Sequence, residues 1–261
     1  MAHTHIVEPP LSQILEFCAE DPVERVFLED VARRGIGRFT GIEEGRRLVG
    51  LCHSGANVVP SGRGCGAFAT VAVRARTRML IGEQAAVSDL WEAARRHLPS
   101  PREDRLGQPV YSISDAPEPG GSGLRPARLA DLDLLVPACA KAHEGELGID
   151  PLRRDAEGFR WRTRAQIEDG RSWLWEERGV ILFKAEASAW TPRAVQLQQV
   201  WVDPEARRAG YATRGLRDLI RLLLNEVPTV CLFVRADNAP AIRLYETVRM
   251  QHVLEYRSVL L

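Results

Sequence analysis

Between Gln199 and Ala212 the chain reads Gln-Val-Trp-Val-Asp-Pro-Glu-Ala-Arg-Arg-Ala-Gly-Tyr-Ala: a strand, a turn, then a basic loop with one glycine directly before a helix. That order of elements binds anions. The first turn of a helix leaves backbone amides without carbonyl partners and carries the positive end of the helix dipole, Gly210 lets the backbone approach closely, and Arg207 and Arg208 add charge. A pyrophosphate fits such a cradle. A nucleoside-triphosphate loop is excluded because no Gly-Lys-Ser/Thr follows, and the three-glycine dinucleotide fingerprint is missing too. Upstream, Glu186 stands in an otherwise apolar strand, where a charge either faces water or has a catalytic or acceptor-binding purpose. The cysteines Cys18, Cys52, Cys65, Cys139 and Cys231 form no CxxC pair and have no His-rich partner cluster, so they read as reduced, mostly buried small hydrophobes, and no metal is expected.

The elements that must position this loop are legible on both sides of it. Asp115-Ala-Pro-Glu-Pro-Gly-Gly-Ser-Gly123 combines proline stiffness with glycine and serine flexibility and has nothing to bury, which predicts a linker over 115–123 between domains at 1–114 and 124–261. Before it, a helical segment from Leu11 to Arg33 leads into strands at Arg47–Cys52 and Ala56–Pro60. Helices at Gly66–Arg76 and Glu83–Leu98 then flank a strand at Arg78–Gly82, and Gln108–Ile113 is another strand. After the linker come a short strand at Leu124–Ala127, a helix at Asp131–His143 kinked by Pro137, and a second helix at Asp155–Asp169. Strands follow at Ser172–Trp175, Val180–Ala189 and Ala194–Val202. The helix Tyr211–Glu226 carries an apolar stripe of Ala212, Leu216, Leu219, Ile220 and Leu223, and leads to a buried strand at Val230–Val234. Asn238 caps a last helix to Val248 before the terminal strands. The fold class is α/β, with mixed sheets in both domains.

Arg207-Arg-Ala-Gly-Tyr-Ala212 resembles the (Q/R)xxGx(G/A) coenzyme A loop of the GNAT (Gcn5-related) superfamily. Val200-Trp201-Val202 resembles the bulged fourth strand of that superfamily, and Asn238-Ala-Pro-Ala-Ile-Arg-Leu-Tyr-Glu246 its NxxAxxLYE helix. The N-terminal half, through Leu51-Cys-His-Ser-Gly-Ala-Asn-Val-Val-Pro60 and Pro101-Arg-Glu-Asp-Arg-Leu-Gly-Gln-Pro109, looks like the acetyltransferase-like domain of unknown function that precedes a GNAT domain in many bacterial proteins. The resemblance implies two GNAT-like domains, with acetyl-CoA held as cosubstrate by the second alone. Its phosphates would lie on Arg207, Arg208, Ala209, Gly210, Tyr211 and Ala212, and its pantetheine arm on the backbone of Val200, Trp201 and Val202 and on Asn238. It implies that Tyr245 protonates the leaving thiolate, although Ala241, Leu244 and Val248 on the same helix face equally suit a core tyrosine with a wet hydroxyl. The glutamate that serves this superfamily as base corresponds to Gln196, which cannot accept a proton at neutral pH. The base therefore stays open among Glu186, Glu144 and ordered water. Glu144 and Glu146 follow the first helix, where the superfamily places acceptor-site residues, but a solvated loop is the simpler account. His143 reads as a helix-end residue, and Ser61-Gly-Arg-Gly-Cys-Gly66 as a flexible connection.

The totals narrow the partners. The 35 Lys plus Arg are balanced by 35 Asp plus Glu, so no basic footprint favours nucleic acid. No stretch spans a bilayer, and Met1 to Pro10 lacks the basic start and apolar run of a signal peptide, so a cytoplasmic protein with no membrane partner is expected. The expected activity is N-acetylation of a primary amine, a protein lysine or N-terminal amine first and a small-molecule amine second. A synthase resembling mycothiol synthase and a catalytically silent acyl-CoA-binding regulator are the rivals, and a homodimer is allowed.

Overall fold

The computed structural model describes residues 4–261, so the expectation for the first three residues falls outside it. The N-terminal half runs β1 (Thr4–Val7), α1 (Leu11–Glu20), α2 (Val26–Arg33), β2 (Arg38–Glu44), β3 (Arg47–Ser54), β4 (Val58–Gly62), α3 (Ala69–Ala75), β5 (Met79–Glu83), α4 (Gln84–Ala94) and β6 (Glu103–Ile113). The C-terminal half runs β7 (Arg125–Pro126), α5 (Leu132–Leu147), α6 (Pro151–Glu168), β8 (Ser172–Glu177), β9 (Val180–Trp190), β10 (Val195–Val202), α7 (Tyr211–Leu223), β11 (Val230–Phe233), α8 (Ala239–Thr247) and β12 (Gln251–Leu260). The predicted helix over Leu11–Arg33 is two helices, because Asp21 and Pro22 break it. Strands β1 and β2 are additions to the sequence reading. Arg38–Glu44 carries charges among its apolar residues and so lacks the clean alternation of a strand.

The twelve strands of the described residues form one mixed sheet in the order β1-β2-β3-β4-β5-β12-β6-β11-β10-β9-β8-β7. The two halves repeat one pattern. In each, a strand (β4 or β10) is followed by a loop and helix, a parallel strand (β5 or β11), a second helix (α4 or α8) and a long strand (β6 or β12). The long strands are exchanged. β12, from the C-terminal half, pairs antiparallel with β5 from Met79↔Leu260 to Glu83↔Tyr256, and β6, from the N-terminal half, pairs antiparallel with β11 from Val110↔Phe233 to Ile113↔Val230. β6 and β12 also pair with each other along most of their length, so the centre of the sheet belongs to neither half.

The helices cover both faces. Leu216, Leu219, Ile220 and Leu223 of α7 are fully buried against Phe183, Leu197 and, from β6, Tyr111 and Ile113. Gly215 is needed there, since a Cβ would lie 2.6 Å from the Phe183 ring. On the other face Leu135, Val136 and Cys139 of α5 pack on Leu174 and Trp201. The segment 115–123 is not the free linker that its composition predicts. Asp218 on α7 accepts from the Gly120 and Ser122 amides at 2.7 Å each, Arg221 donates to the Pro117 carbonyl at 2.8 Å, and Arg214 donates to the Gly120 and Gly121 carbonyls. A Cβ on Gly120 would meet the Arg214 carbonyl, so its glycine serves close approach.

Further links tie the halves. Arg171 donates to Asp30 at 2.7 and 3.1 Å, Arg193 to Glu29 at 3.3 Å, and the buried Tyr256 hydroxyl to the Glu24 carbonyl at 2.7 Å. Because both cores end on exchanged strands, the halves should unfold in one transition, with equal calorimetric and van't Hoff enthalpies in a scanning experiment. Two separable transitions would show that the exchange does not couple them.

Candidate functional site

β10 and β11 are paired only at Val195↔Val230 and Gln196↔Cys231, after which they part into a wedge. The reason lies on β10. Gln198 pairs with Glu186 and Trp201 with Lys184, so two residues, Gln199 and Val200, stand opposite one, Ala185. This β-bulge bends the strand, and Gln199 takes φ +48°, a left-handed conformation that a side chain makes costly. From Leu197 to Val202 the β11-facing edge of β10 therefore keeps unpaired peptide groups at the wedge. The Trp201 side chain points the other way, into the α5 cluster.

Beneath the bulge lies a cluster that the sequence reading did not assemble. Lys184 is wholly buried, Glu186 is 6% exposed and Cys139, from α5, 2%. Lys184 Nζ donates to Glu186 Oε1 at 2.6 Å and to the Gln199 side-chain oxygen at 3.0 Å, and lies 3.1 Å from Cys139 Sγ, which is itself 3.1 Å from Glu186 Oε1. Burial opposes the charge on Glu186, yet Lys184 holds its pKa below the ordinary glutamate value. For Lys184 burial again opposes the charge, and Glu186 outweighs it, keeping the pKa above the usual lysine value. Burial pushes the Cys139 thiol up to about 12, so it remains a neutral donor. The hydrogen bond to Gln199 offsets the cost of its backbone conformation, which links the ion pair to the bulge. The signal was in the sequence: Lys184 and Glu186, two apart, must share one face of a strand. Of the other carboxylate candidates, Glu144 is exposed and touches nothing in this cluster, and Gln196 donates to Ser188 Oγ at 2.8 Å.

The wedge opens toward the start of α7. Gly210 is its N-cap at φ +82°, Arg208 has φ +62°, and no side chain caps the amides of the first turn. A groove of about 440 Å³ borders this turn, lined by Arg207, Arg208, Ala212 and, from α8, Arg243. Among the described residues none of these three guanidiniums has an acidic partner, which leaves uncompensated positive charge facing uncapped amides. Arg243 was not singled out in the sequence because it belongs to a helix far along the chain. Asn238 is the N-cap of α8, its side chain accepting from the Ala241 amide at 3.3 Å. Seven residues on, Tyr245 is 6% exposed, its ring 5.7 Å from that of Tyr111, a residue of the N-terminal half. Burial raises its pKa, with Glu146 adding to the rise, and its hydroxyl has no hydrogen-bond partner among the described residues.

The N-terminal half repeats the cradle and then closes it. Gly64 (φ +71°) is the N-cap of a 3-10 turn, Cys65–Phe68, that leads into α3; counting from it and from Gly210, Gly62 (φ +85°) and Gly64 stand where Arg208 and Gly210 stand, so Ser61 to Gly66 is the counterpart of the loop Arg207 to Ala212 and not merely a flexible connection. The Gly66 amide, however, donates at 2.9 Å to Asp89 of α4. Counting from the caps Glu83 and Asn238, Asp89 replaces Leu244 and Leu90 replaces Tyr245. A carboxylate of the chain itself thus takes the place of an anion, and the phenol is gone.

Lys184→Met is expected to cost about 3–5 kcal/mol of stability, because it strands the Glu186 charge in the interior, whereas Lys184→Met with Glu186→Gln should regain most of it. Urea midpoints measure both. A single variant as stable as the parent would contradict the buried pair.

Residues 140–249 match the acetyltransferase (GNAT) family model, and residues 37–135 that of a domain of unknown function, DUF4081. Among solved structures, a GNAT-family acetyltransferase from Colwellia psychrerythraea is similar over 99% of this chain and 99% of its own, with TM-score 0.61 and 11% identity. A GCN5-related N-acetyltransferase from Sphaerobacter thermophilus covers 98% of this chain with 94% of its own, at TM-score 0.61 and 16% identity. A tandem GNAT protein from the clavulanic acid biosynthesis pathway covers 99% with 98% of its own, at TM-score 0.56 and 13% identity. At these identities the likeness is one of fold. No curated protein matches the chain in sequence. Among the described residues no group of three or more His, Cys, Asp or Glu is placed to hold a metal ion, and no helix is long and apolar enough to cross a membrane. With the wedge, the bulge and the helix-capped loop in one half and their altered copy in the other, the chain has a tandem GNAT fold, and its residues 140–249 form a domain that matches the GNAT acetyltransferase family.

Proposed function

We propose that the chain is an acetyl-CoA-dependent N-acetyltransferase acting on a primary amine, with a protein lysine or N-terminal amine as first choice and a small-molecule amine second. The observation that carries this is the junction of a wedge between parallel strands with an uncapped helix start bordered by three arginines that have no acidic partner among the described residues. The residues present fit the group. Arg207, Arg208, Arg243 and the amides of Tyr211, Ala212 and Thr213 would hold the pyrophosphate, and the open edge of β10 around Val200 would pair with the pantetheine arm. Acetyl-CoA supplies an activated thioester. Within the chain, the Val200 region offers backbone donors for charge that develops on an oxygen, and Tyr245 keeps a proton available for a leaving thiolate at a hydroxyl without a hydrogen-bond partner among the described residues. One cosubstrate per chain follows, because Asp89 fills the other cradle.

A second reading, a silent acyl-CoA-binding regulator, has one observation behind it: β10 carries no carboxylate, and Glu186 is already bound to Lys184. Release of free thiol from acetyl-CoA with a panel of amines separates the two.

Titration calorimetry should give one coenzyme A per chain, abolished in Gly210→Glu. Gly210→Ala, which suffers the same positive φ but adds no charge, should bind measurably. Equal affinity in all three proteins would remove the cradle from the mechanism, and two equivalents per chain would show that the N-terminal cradle is open. Tyr245→Phe preserves packing on Tyr111 and should keep coenzyme A affinity within a few-fold, while turnover drops by about 10²-fold. Turnover equal to the parent would assign the acid elsewhere.

A further inference from the structure

Positive charge without a counter-charge is also concentrated away from the cradle, at one end of the N-terminal half. Arg74 and Arg76 close α3, Arg78 precedes β5, Arg95 and Arg96 follow α4, and Arg102 precedes β6. Backbone pairing brings these segments together. The Leu261 amide donates to the Arg78 carbonyl at 2.9 Å and the Arg102 amide to the Leu260 carbonyl at 2.8 Å, while Ala75, Leu98 and Leu261 pack on one core. All six arginines are exposed, and the carboxylate standing among them, Glu92, is bound to Arg95 at 2.9 Å. The next carboxylates along β6 are taken, Glu103 by Arg105 at 2.6 Å and Asp104 by Arg257 at 2.7 Å. Among the described residues the guanidiniums of Arg74, Arg76, Arg78, Arg96 and Arg102 have neither an ion pair nor a hydrogen bond.

Cations stabilise the C-terminal ends of helices, which accounts for an arginine or two. The fold does not demand six. In the C-terminal half the corresponding ends carry Glu226 after α7 and Arg249 after α8, and Arg221 of α7 is bound to the Pro117 carbonyl. The excess is particular to the N-terminal half.

Strand direction places this end beside the site. β5 is antiparallel to β12, β12 to β6 and β6 to β11, so β5 and β11 run in opposite directions. The start of β5 therefore lies at the same end of the sheet as the end of β11, where the wedge opens. From Glu103, opposite Leu260, to Val110, opposite the end of β11, β6 runs about 20 Å. An extended segment of about ten residues spans that distance.

The chemistry of the partner follows from what the patch holds and lacks. Exposed guanidiniums bind carboxylates in bidentate pairs. A lipid surface is disfavoured, because among the described residues no large hydrophobic side chain between Ile36 and Leu106 is exposed to anchor in it. A nucleic acid is disfavoured because the balanced charge of the whole chain gives no long-range attraction, and the patch has no exposed aromatic ring on which a base could stack. We propose that the basic end of the N-terminal half docks a segment rich in Asp and Glu on the protein whose amine is acetylated, and so holds that amine within reach of the wedge. The fate of the amine rests on the transferase reading above; the docking does not.

Two measurements test this. The first is fluorescence anisotropy of a labelled peptide of sixteen glutamates with the parent and with the triple variant Arg78→Glu, Arg96→Glu and Arg102→Glu, coenzyme A affinity being measured alongside. The parent should bind the peptide, more weakly as salt rises from about 50 to about 200 mM. The variant should lose about 10-fold or more, the combined strength of three exposed ion pairs, with coenzyme A affinity unchanged. Should the reversed charges unfold the chain, the triple variant Arg78→Gln, Arg96→Gln and Arg102→Gln carries the test with a loss of several-fold. Equal peptide affinity in the parent and a folded variant overturns the proposal, as does tighter binding of a duplex DNA of equal charge or of phosphatidylglycerol vesicles. The second measurement is acetylation of a lysine joined through ten Gly and Ser residues either to eight glutamates or to eight serines. In the parent the glutamate peptide should have a KM about 10-fold lower at equal kcat, an advantage that the variant lacks. Equal KM for the two peptides overturns the link to the wedge. If neither is acetylated while the glutamate peptide still binds, the docking surface stands and the reading of the chain as a protein acetyltransferase falls.

Discussion

The exchange of β6 and β12 is the constraint on which the other features rest. A strand buried in the middle of a sheet must satisfy its amides and carbonyls on both edges, and each of these two does so with a strand from the other half. Neither half can complete its sheet alone. The exchange also decides what the C-terminal half packs against: β6 brings Tyr111 against Tyr245 and Arg105 against the end of α5.

A second dependency runs through the bulge. Parallel strands that stayed paired would leave no gap, and what parts β10 from β11 is one extra residue on β10 held in an unfavourable backbone conformation. The Lys184 ammonium bonds the side chain of that strained residue and the carboxylate of Glu186 together. A buried ion pair is weak support for stability by itself, because desolvation offsets much of the attraction. Here its value is positional, as a bonded cluster under the segment whose backbone groups stay unpaired at the wedge.

The two halves show the same turn with different groups facing it. The positive-φ pair that shapes the loop persists as Gly62 and Gly64, since the strand-to-helix turn needs it whatever it binds. What differs is the facing helix. Asp89 satisfies the Gly66 amide with a charge of the chain itself, and Arg243, which helps to leave the other cradle electropositive, has the small Ser88 as counterpart. The carboxylate stabilises the helix start by the same dipole interaction that would otherwise attract a phosphate.

How much of this was legible follows from the range of the forces involved. The strand-loop-helix order at Gln199–Ala212, the cap at Asn238, the apolar stripe of α7 and the α/β class depend on neighbours within a few residues, and the amino-acid order carries them directly. Even the Lys184–Glu186 pair could have been read, since two residues apart on a strand means one face. The segment 115–123 was misjudged because composition reports the freedom of the backbone but not the carboxylate of Asp218 and the guanidinium of Arg214 waiting on α7. Likewise Ser61–Gly66 read as a flexible connection because glycines signal permissiveness whether or not a turn uses it. The strand exchange and the union of Cys139 with Lys184 and Gln199 join residues that are distant in sequence. Sequence by itself determined the local cradle and the type of fold, because hydrogen-bonding geometry within a helix or turn is local. Only the tertiary structure decided which charges meet and which half completes the other, because Coulomb attraction and sheet pairing act between whatever surfaces the folded chain brings into contact.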